Sequence, residues 1–150
     1  MEKKRKILPA VYLLLTLVVM WLVHYFFPAY QYVQEPLAYA GIVPVFLGIA
    51  ISAVSAGLFK RAGTGILPFD EATTLVTTGF YRYSRNPMYL GMFLMLAGSA
   101  FVLGSVGAAM PVAVFVLIIR NNFVLAEERF LEAGFGRQYL DYKSTVRRWL

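Results

Sequence analysis

The chain has no cysteine and a single histidine, His24. The first absence excludes a disulfide, a thiolate nucleophile and a thiolate-bound metal. The second excludes a histidine-rich metal centre, so no metal site is expected. Charge is scarce as well. Asp, Glu, Lys and Arg make up 15% of the residues, against about 25% in an ordinary soluble domain. Hydrophobic residues reach 59%, and the mean hydropathy is +0.64. A soluble domain is therefore excluded and a membrane protein is implied. Acids are scarcer than bases, 8 against 14, for a net charge of +6. The bases stand at the ends of uncharged runs, a pattern that marks membrane topology rather than nucleic-acid binding. No internal repeat, low-complexity segment or glycine-rich dinucleotide fingerprint is found. A length of 150 residues fits one domain, residues 1–150.

What the chain does have is long apolar runs. Lys3, Lys4, Arg5 and Lys6 precede an uncharged run over 7–27, long enough to span, since about 20 residues cross the hydrocarbon. No small-x-small cleavage site comes after it, so this reads as a retained first span rather than a signal peptide. Trp21, His24, Tyr25, Phe26 and Phe27 form an interfacial belt at its far end. Residues 28–36 make a short loop with Glu35 and no Lys or Arg. A second span covers 37–59. Its small residues Ala40, Pro44, Gly48, Ser52 and Ala56 recur every fourth position, a stripe that lets another helix approach. Pro44 is expected to kink it.

Residues 62–84 form the longest polar connection, broken by Gly63, Gly65 and Pro68. Asp70 and Glu71 are its only acids and are expected to cap a short helix. No residue between Arg85 and Arg120 is charged. As one helix that run would be about 50 Å long, and the hydrocarbon core is only about 30 Å thick. It must fold back, and Gly104-Ser105-Val106-Gly107 is the natural turn. This gives third and fourth spans, 87–103 and 108–125, with Gly91, Gly98 and Ser99 expected to pack on Gly107, Ala108, Ala109 and Ala113. An amphipathic tail closes the chain, with Arg147-Arg148-Trp149 as an interface anchor. The fold class is all-α: an integral membrane bundle of four transmembrane helices with a C-terminal helical hairpin and a cytoplasmic tail. Four spans put both termini on one side, and that side holds every Lys and Arg, so the termini are cytoplasmic.

The most punctuated polar stretch precedes the third span. Asn86 reads as an N-cap and Pro87 as the first helical residue. Arg82 and Arg85 lie just outside the helix, and Tyr89 lies in its first turn. A helix start flanked by arginines and aromatic rings suits a polar, partly anionic small molecule. On the fourth span Arg120 and Glu127 are seven apart and share a helix face, as do Asn121 and Glu128.

These pieces resemble the signature of the isoprenylcysteine carboxyl methyltransferase and phospholipid methyltransferase families of integral membrane enzymes. The matching residues are Gly79-Phe80-Tyr81, Arg85-Asn86-Pro87-Met88-Tyr89-Leu90-Gly91 and Glu127-Glu128. Phe135-Gly136, Tyr139, Tyr142 and Val146-Arg147-Arg148-Trp149 in the tail also match. Asn86 stands where the eukaryotic enzymes have histidine. The resemblance implies methyl transfer from S-adenosylmethionine to a lipophilic acceptor, in a protein of a prokaryotic inner membrane. The acceptors it implies are a prenylcysteine carboxylate, a phospholipid amine or another small amphiphile.

It also implies that Gly79, Tyr81, Arg85, Asn86, Pro87, Tyr89, Glu127 and Glu128 form the cofactor site. Arg85 would pair with the cofactor's carboxylate, and Glu127 or Glu128 would accept from its ribose or ammonium. An amine acceptor would need a base, for which Glu127 or Glu128 would serve. A carboxylate acceptor would need an orienting cation, for which Arg120 would serve. The acceptor is expected to enter from the bilayer beside the fourth span, with Arg120 near the rim. Two other classes remain. One is a nicotinamide-dependent membrane reductase related to sterol reductases, whose chains are much longer. The other is a small four-helix transporter, against which stands the lack of an ionisable residue in mid-span.

Overall fold

Proline opens two of the long helices. Helix α1 runs Pro9–Phe26 and α3 runs Pro87–Leu103. In a first turn the missing N–H of proline has no intrahelical acceptor to lose. The structure, a computed structural model, describes residues 8–27, 30–65 and 73–150. The basic cluster at 3–6 and the pair Asp70 and Glu71 lie outside the described residues.

The expected kink in the second span takes another form. A 3₁₀ turn, Leu37–Gly41, leads into α2, Ile42–Arg61. Pro44 falls in the first turn of α2, where N–H groups have no partner in any case. The irregularity therefore precedes the helix. Helix α4, Val106–Ile119, passes through a π-helical turn, Arg120–Val124, into α5, Leu125–Phe135. A last helix α6, Arg137–Thr145, comes after a reversal at Gly136. Lys143 Nζ donates to Glu132 Oε2 at 2.9 Å and fastens α6 to α5.

The fold is all-helical; among the described residues the one extended pairing is a single bridge between Gln31 and Ser105. Among the described residues, three continuous helical stretches are long and apolar enough to cross a membrane: Pro9–Phe26, Leu37–Arg61 and Val106–Phe135. Helix α3 is apolar too, but only 17 residues long.

The glycines of α3 have a different partner from the expected one. Gly91 and Gly98 face α2 rather than α4. A Cβ on Gly98 would lie 2.5 Å from the Gly41 carbonyl oxygen, and one on Gly41 2.5 Å from that of Gly98. Gly91 and Gly48 meet the same way one helical stretch further on. Ser52 Oγ donates to the Met88 carbonyl at 3.1 Å. The small-residue face thus brings two backbones together where lipid gives no hydrophobic drive to association. Helix α4 packs mainly on α1 instead. Met20, Leu96, Phe115, Ile119 and Phe123 fill the space where α1, α3 and α4 meet.

The turn between α3 and α4 lies where expected. Gly104 has φ +65°, a left-handed conformation that glycine adopts without a Cβ penalty, and its N–H bonds the Ala100 carbonyl at 2.9 Å. Ser105 is the N-cap of α4 and its Oγ accepts from the Ala108 N–H at 3.3 Å. The loop from α1 lies across this turn. Tyr32 N–H donates to the Gly104 carbonyl at 2.9 Å, and Val106 N–H to that of Tyr30 at 3.1 Å. His24, expected as an interfacial side chain, reaches inward, with Nδ1 3.1 Å from Ser105 Oγ. This hairpin end is opposite the end at which the polar motifs collect.

Candidate functional site

At the other end a 3₁₀ turn, Gly79–Arg82, precedes α3. Gly79 opens it at φ +61°, and a Cβ there would lie 2.7 Å from a methyl of Leu58 on α2. Glycine takes this left-handed conformation without the Cβ penalty, and a larger residue would also have to push the Leu58 methyl aside. The turn buries Tyr81, whose ring packs edge-on against Phe59 at 5.3 Å. The Tyr81 carbonyl accepts from the Tyr142 hydroxyl at 2.7 Å. Burial pushes both tyrosine hydroxyls above their ordinary range, so both stay protonated. Within the long connection, Thr73 N–H donates to Thr64 Oγ1 at 3.1 Å.

Asn86 does occupy the N-cap position of α3, but its side chain does not cap the helix. Its Nδ2 donates to the Arg148 carbonyl at 3.0 Å. Ser84 Oγ donates to the same carbonyl at 3.3 Å and accepts from the Asn86 N–H at 3.1 Å. Arg85 N–H donates to the Arg147 carbonyl at 3.0 Å. Three successive residues before α3 therefore hold the tail in place. The tail was expected to anchor in the interface. Arg147 stays exposed, but Trp149 packs against the core and Arg148 turns into the site.

Arg148 donates from Nε to Glu128 Oε1 at 2.8 Å and from Nη2 to Oε2 at 2.9 Å. This is the two-pronged geometry in which a guanidinium binds a carboxylate most strongly. The bonds to Glu128 hold the Arg148 guanidinium above its ordinary pKa range. Arg85 meets the same carboxylate more loosely, with Nη2 3.4 Å from Oε1. Among the described residues the buried Nε and Nη1 groups of Arg85 meet no acceptor at hydrogen-bond geometry, although the Tyr139 hydroxyl lies beside the same guanidinium. Buried donors are nearly always paired, so two unpaired N–H groups on one guanidinium point to a ligand. Glu127, next along α5, accepts from the Tyr89 hydroxyl at 2.6 Å.

A cavity of about 240 Å³ opens beside these groups. Arg85, Asn86, Glu127 and Glu128 supply its polar wall, and Tyr81, Tyr89, Tyr139 and Tyr142 its rings. Leu75, Val76, Met88, Met92 and Leu131 supply apolar surface. Pro9 from the start of α1 and Phe59 from the end of α2 also line it. All four long helical stretches thus bring one end to the same cavity.

Of the residues singled out from the sequence, Tyr81, Arg85, Asn86, Tyr89, Glu127 and Glu128 come together here. Gly79 and Pro87 do not line the cavity; they shape the turn and helix start that carry Tyr81 and Tyr89. Arg120 is not brought in. It is exposed, and its Nη1 lies 3.3 Å from Asn121 Oδ1. The seven-residue spacing to Glu127 assumed an uninterrupted α-helix. The π turn that begins at Arg120 holds more residues per turn and rotates α5 relative to α4. Arg120 and Glu127 therefore do not share a face, and neither do the exposed Asn121 and the buried Glu128. Tyr139, Tyr142 and Arg148 join the site from the tail. Their one sequence signal is the match of that tail to the family pattern.

A family model described as phospholipid methyltransferase matches residues 36–138. Protein-S-isoprenylcysteine O-methyltransferase A of Arabidopsis thaliana is 31% identical over 108 residues, 71% of this chain and 55% of that protein. An uncharacterized protein of Haemophilus influenzae is 41% identical over 63 residues, 42% of this chain and 100% of that protein. Among solved structures, the eukaryotic intramembrane Ras methyltransferase, an isoprenylcysteine carboxyl methyltransferase, superposes with a TM-score of 0.67. It shares 22% identity, and the match covers 91% of this chain and 50% of the other. That likeness establishes a shared membrane-protein fold. The chain spans about half the length of the isoprenylcysteine methyltransferases that it matches.

Proposed function

The chain belongs to the isoprenylcysteine carboxyl methyltransferase and phospholipid methyltransferase family, and from that premise we propose that it transfers a methyl group from S-adenosylmethionine to a lipophilic acceptor. The observation that carries this reading is the pair of unpartnered donors on Arg85, buried beside a cavity walled by aromatic rings and two carboxylates. The residues present fit the cofactor. Arg85 would take its carboxylate, and the rings of Tyr81, Tyr139 and Tyr142 offer flat surfaces to its adenine. The cofactor supplies a methyl group already activated on a sulfonium. The protein's part is to orient the partners and exclude water, and little acid–base chemistry is required.

The placement of charge bears on the acceptor. Arg120, the cation that a carboxylate acceptor would need, lies outside the cavity. Glu128 is engaged by Arg148. Among the described residues Glu127 has only the Tyr89 hydroxyl as its hydrogen-bond partner and so keeps acceptor capacity for a proton. An amine acceptor is therefore the better fit, with Glu127 as base and Tyr89 orienting it. Leu8 and Phe130 are both exposed at the cavity wall, between the start of α1 and α5. An apolar acceptor arriving from the bilayer would enter there rather than at Arg120.

The same reading takes α1, α2, α3 and the α4–α5 rod as four spans of one domain. The cavity then faces the cytoplasm of a prokaryotic cell, because the basic residues lie on its side. The test is a thermal-shift measurement on purified protein in detergent. S-adenosylhomocysteine should stabilise it and NADPH should not. Labelled methyl should then pass from S-adenosylmethionine to a primary-amine phospholipid in mixed micelles. Stabilisation by NADPH alone would favour a reductase and sink the proposal.

A further inference from the structure

The tail residue Arg148 does more than fasten the chain end. Arg85, Arg148 and Glu128 form a cluster of two guanidinium groups and one carboxylate. The side chains of Arg85 and Glu128 are only 9% and 8% exposed. Lys143, paired with Glu132, adds a further positive charge near Glu128, and the Tyr139 hydroxyl faces Arg85 from α6. Glu128 has two oxygens for two competing forks. Arg148 takes both of them at hydrogen-bond distance, which leaves Arg85 a single longer contact. Without Arg148, Glu128 would be free to take Arg85 in the two-pronged geometry, the strongest arrangement open to it. The Arg85 donors would then be spent inside the protein.

We propose that Arg148 is a positioning residue that holds Glu128 off Arg85 and so keeps Arg85 free for an anionic group of the ligand. This rests on the cofactor reading above, in which that group is the carboxylate of S-adenosylmethionine. The bonds from Ser84 Oγ, the Arg85 N–H and Asn86 Nδ2 to the carbonyls of residues 147 and 148 do not depend on the Arg148 side chain. A substitution there alters the cluster and leaves the strap in place.

The experiment compares two ligands on wild type, Arg148→Gln and Arg148→Lys by calorimetry in detergent. S-adenosylhomocysteine carries a carboxylate; methylthioadenosine shares its nucleoside but has none. Arg148→Gln should bind S-adenosylhomocysteine about 10- to 100-fold more weakly, the range of a lost charged hydrogen bond. Its affinity for methylthioadenosine should match that of wild type. Arg148→Lys should recover part of the loss, since lysine supplies the charge without the fork. In an Arg85→Gln background, Arg148→Gln should have no added effect on S-adenosylhomocysteine. Equal weakening for both ligands would mean that Arg148 only supports the fold, and the proposal would fall. Unchanged affinity for both would overturn it as well. If wild type itself binds neither ligand, the cofactor reading fails first and this inference goes with it.

Discussion

The two ends of this bundle settle their polar groups in opposite ways. At the hairpin end the described residues form no ion pair, and the polar groups are paired with one another. The carbonyl of Gly104, the N-cap Ser105, His24 and the Tyr32 hydroxyl, which donates to the Ala100 carbonyl at 3.0 Å, close on one another. At the site end the groups are charged and the pairing is left open, with Arg85 Nε and Nη1 unpaired among the described residues. Both ends are built on a helix start, a glycine with positive φ and a crossing segment of chain. The shared parts make an end; the leftover donors make a site. A buried donor without a partner destabilises the protein unless a ligand completes it.

The sharpest way to break this contrast is to remove the carboxylate between the two arginines. Glu128→Gln leaves two guanidinium groups facing each other without an anion. Stability should fall by about 3 kcal/mol or more, the usual result of stripping one partner from a buried ion pair. Thermal unfolding in detergent reads this directly, and an unchanged midpoint would mean that the cluster is less buried than described.

At the hairpin end the matching change is Gly104→Ala. The left-handed backbone alone should cost about 1–2 kcal/mol, and the new Cβ also points at the Val33 carbonyl. The unfolding midpoint should drop while S-adenosylhomocysteine affinity stays at the wild-type value. A loss of affinity would show that the two ends are coupled.

Tyr89→Phe sharpens the comparison within the site. It removes the donor that orients Glu127, and turnover of an amine acceptor should fall about tenfold. Cofactor affinity should hardly move, so kcat should take the change and the KM for S-adenosylmethionine should not. The smallest effect is expected from Arg120→Ala. Exposed substitutions of this kind stay within about 0.5 kcal/mol in stability, and binding of S-adenosylhomocysteine should be untouched. Weakened binding would place Arg120 in the cofactor pocket instead.

Much of the site could be read from the sequence because its parts are local. Gly79 with Tyr81, and Arg85 through Tyr89, sit within a few residues of a helix start that proline and asparagine announce. The helical hairpin was legible for a similar reason: charge and glycine mark its limits. Three things were not legible. The partner of the α3 glycines depends on which of two neighbours comes closer, and both α2 and α4 carry small residues. The role of the tail depends on backbone carbonyls of residues 147 and 148, and a carbonyl has no side-chain signature. The separation of Arg120 from Glu127 depends on a π turn, which no residue type in Arg120–Val124 declares.

That π turn bears on how relatives of this chain should be aligned. An α-helix turns about 100° per residue, so a wide turn acts as one residue spliced into a rod whose two halves keep their separate phases. The half before it, from Val106 onward, packs mainly on α1; the half after it carries Glu127, Glu128 and Leu131 to the cavity. Deleting any one residue within Arg120–Val124 would let the rod heal into plain α-helix and would turn Glu127 and Glu128 away from Tyr89 and Arg148. A length difference among homologues at this place is therefore a change of helical phase. It belongs in the middle of the rod, even though alignment habit would push the gap out to the nearest loop.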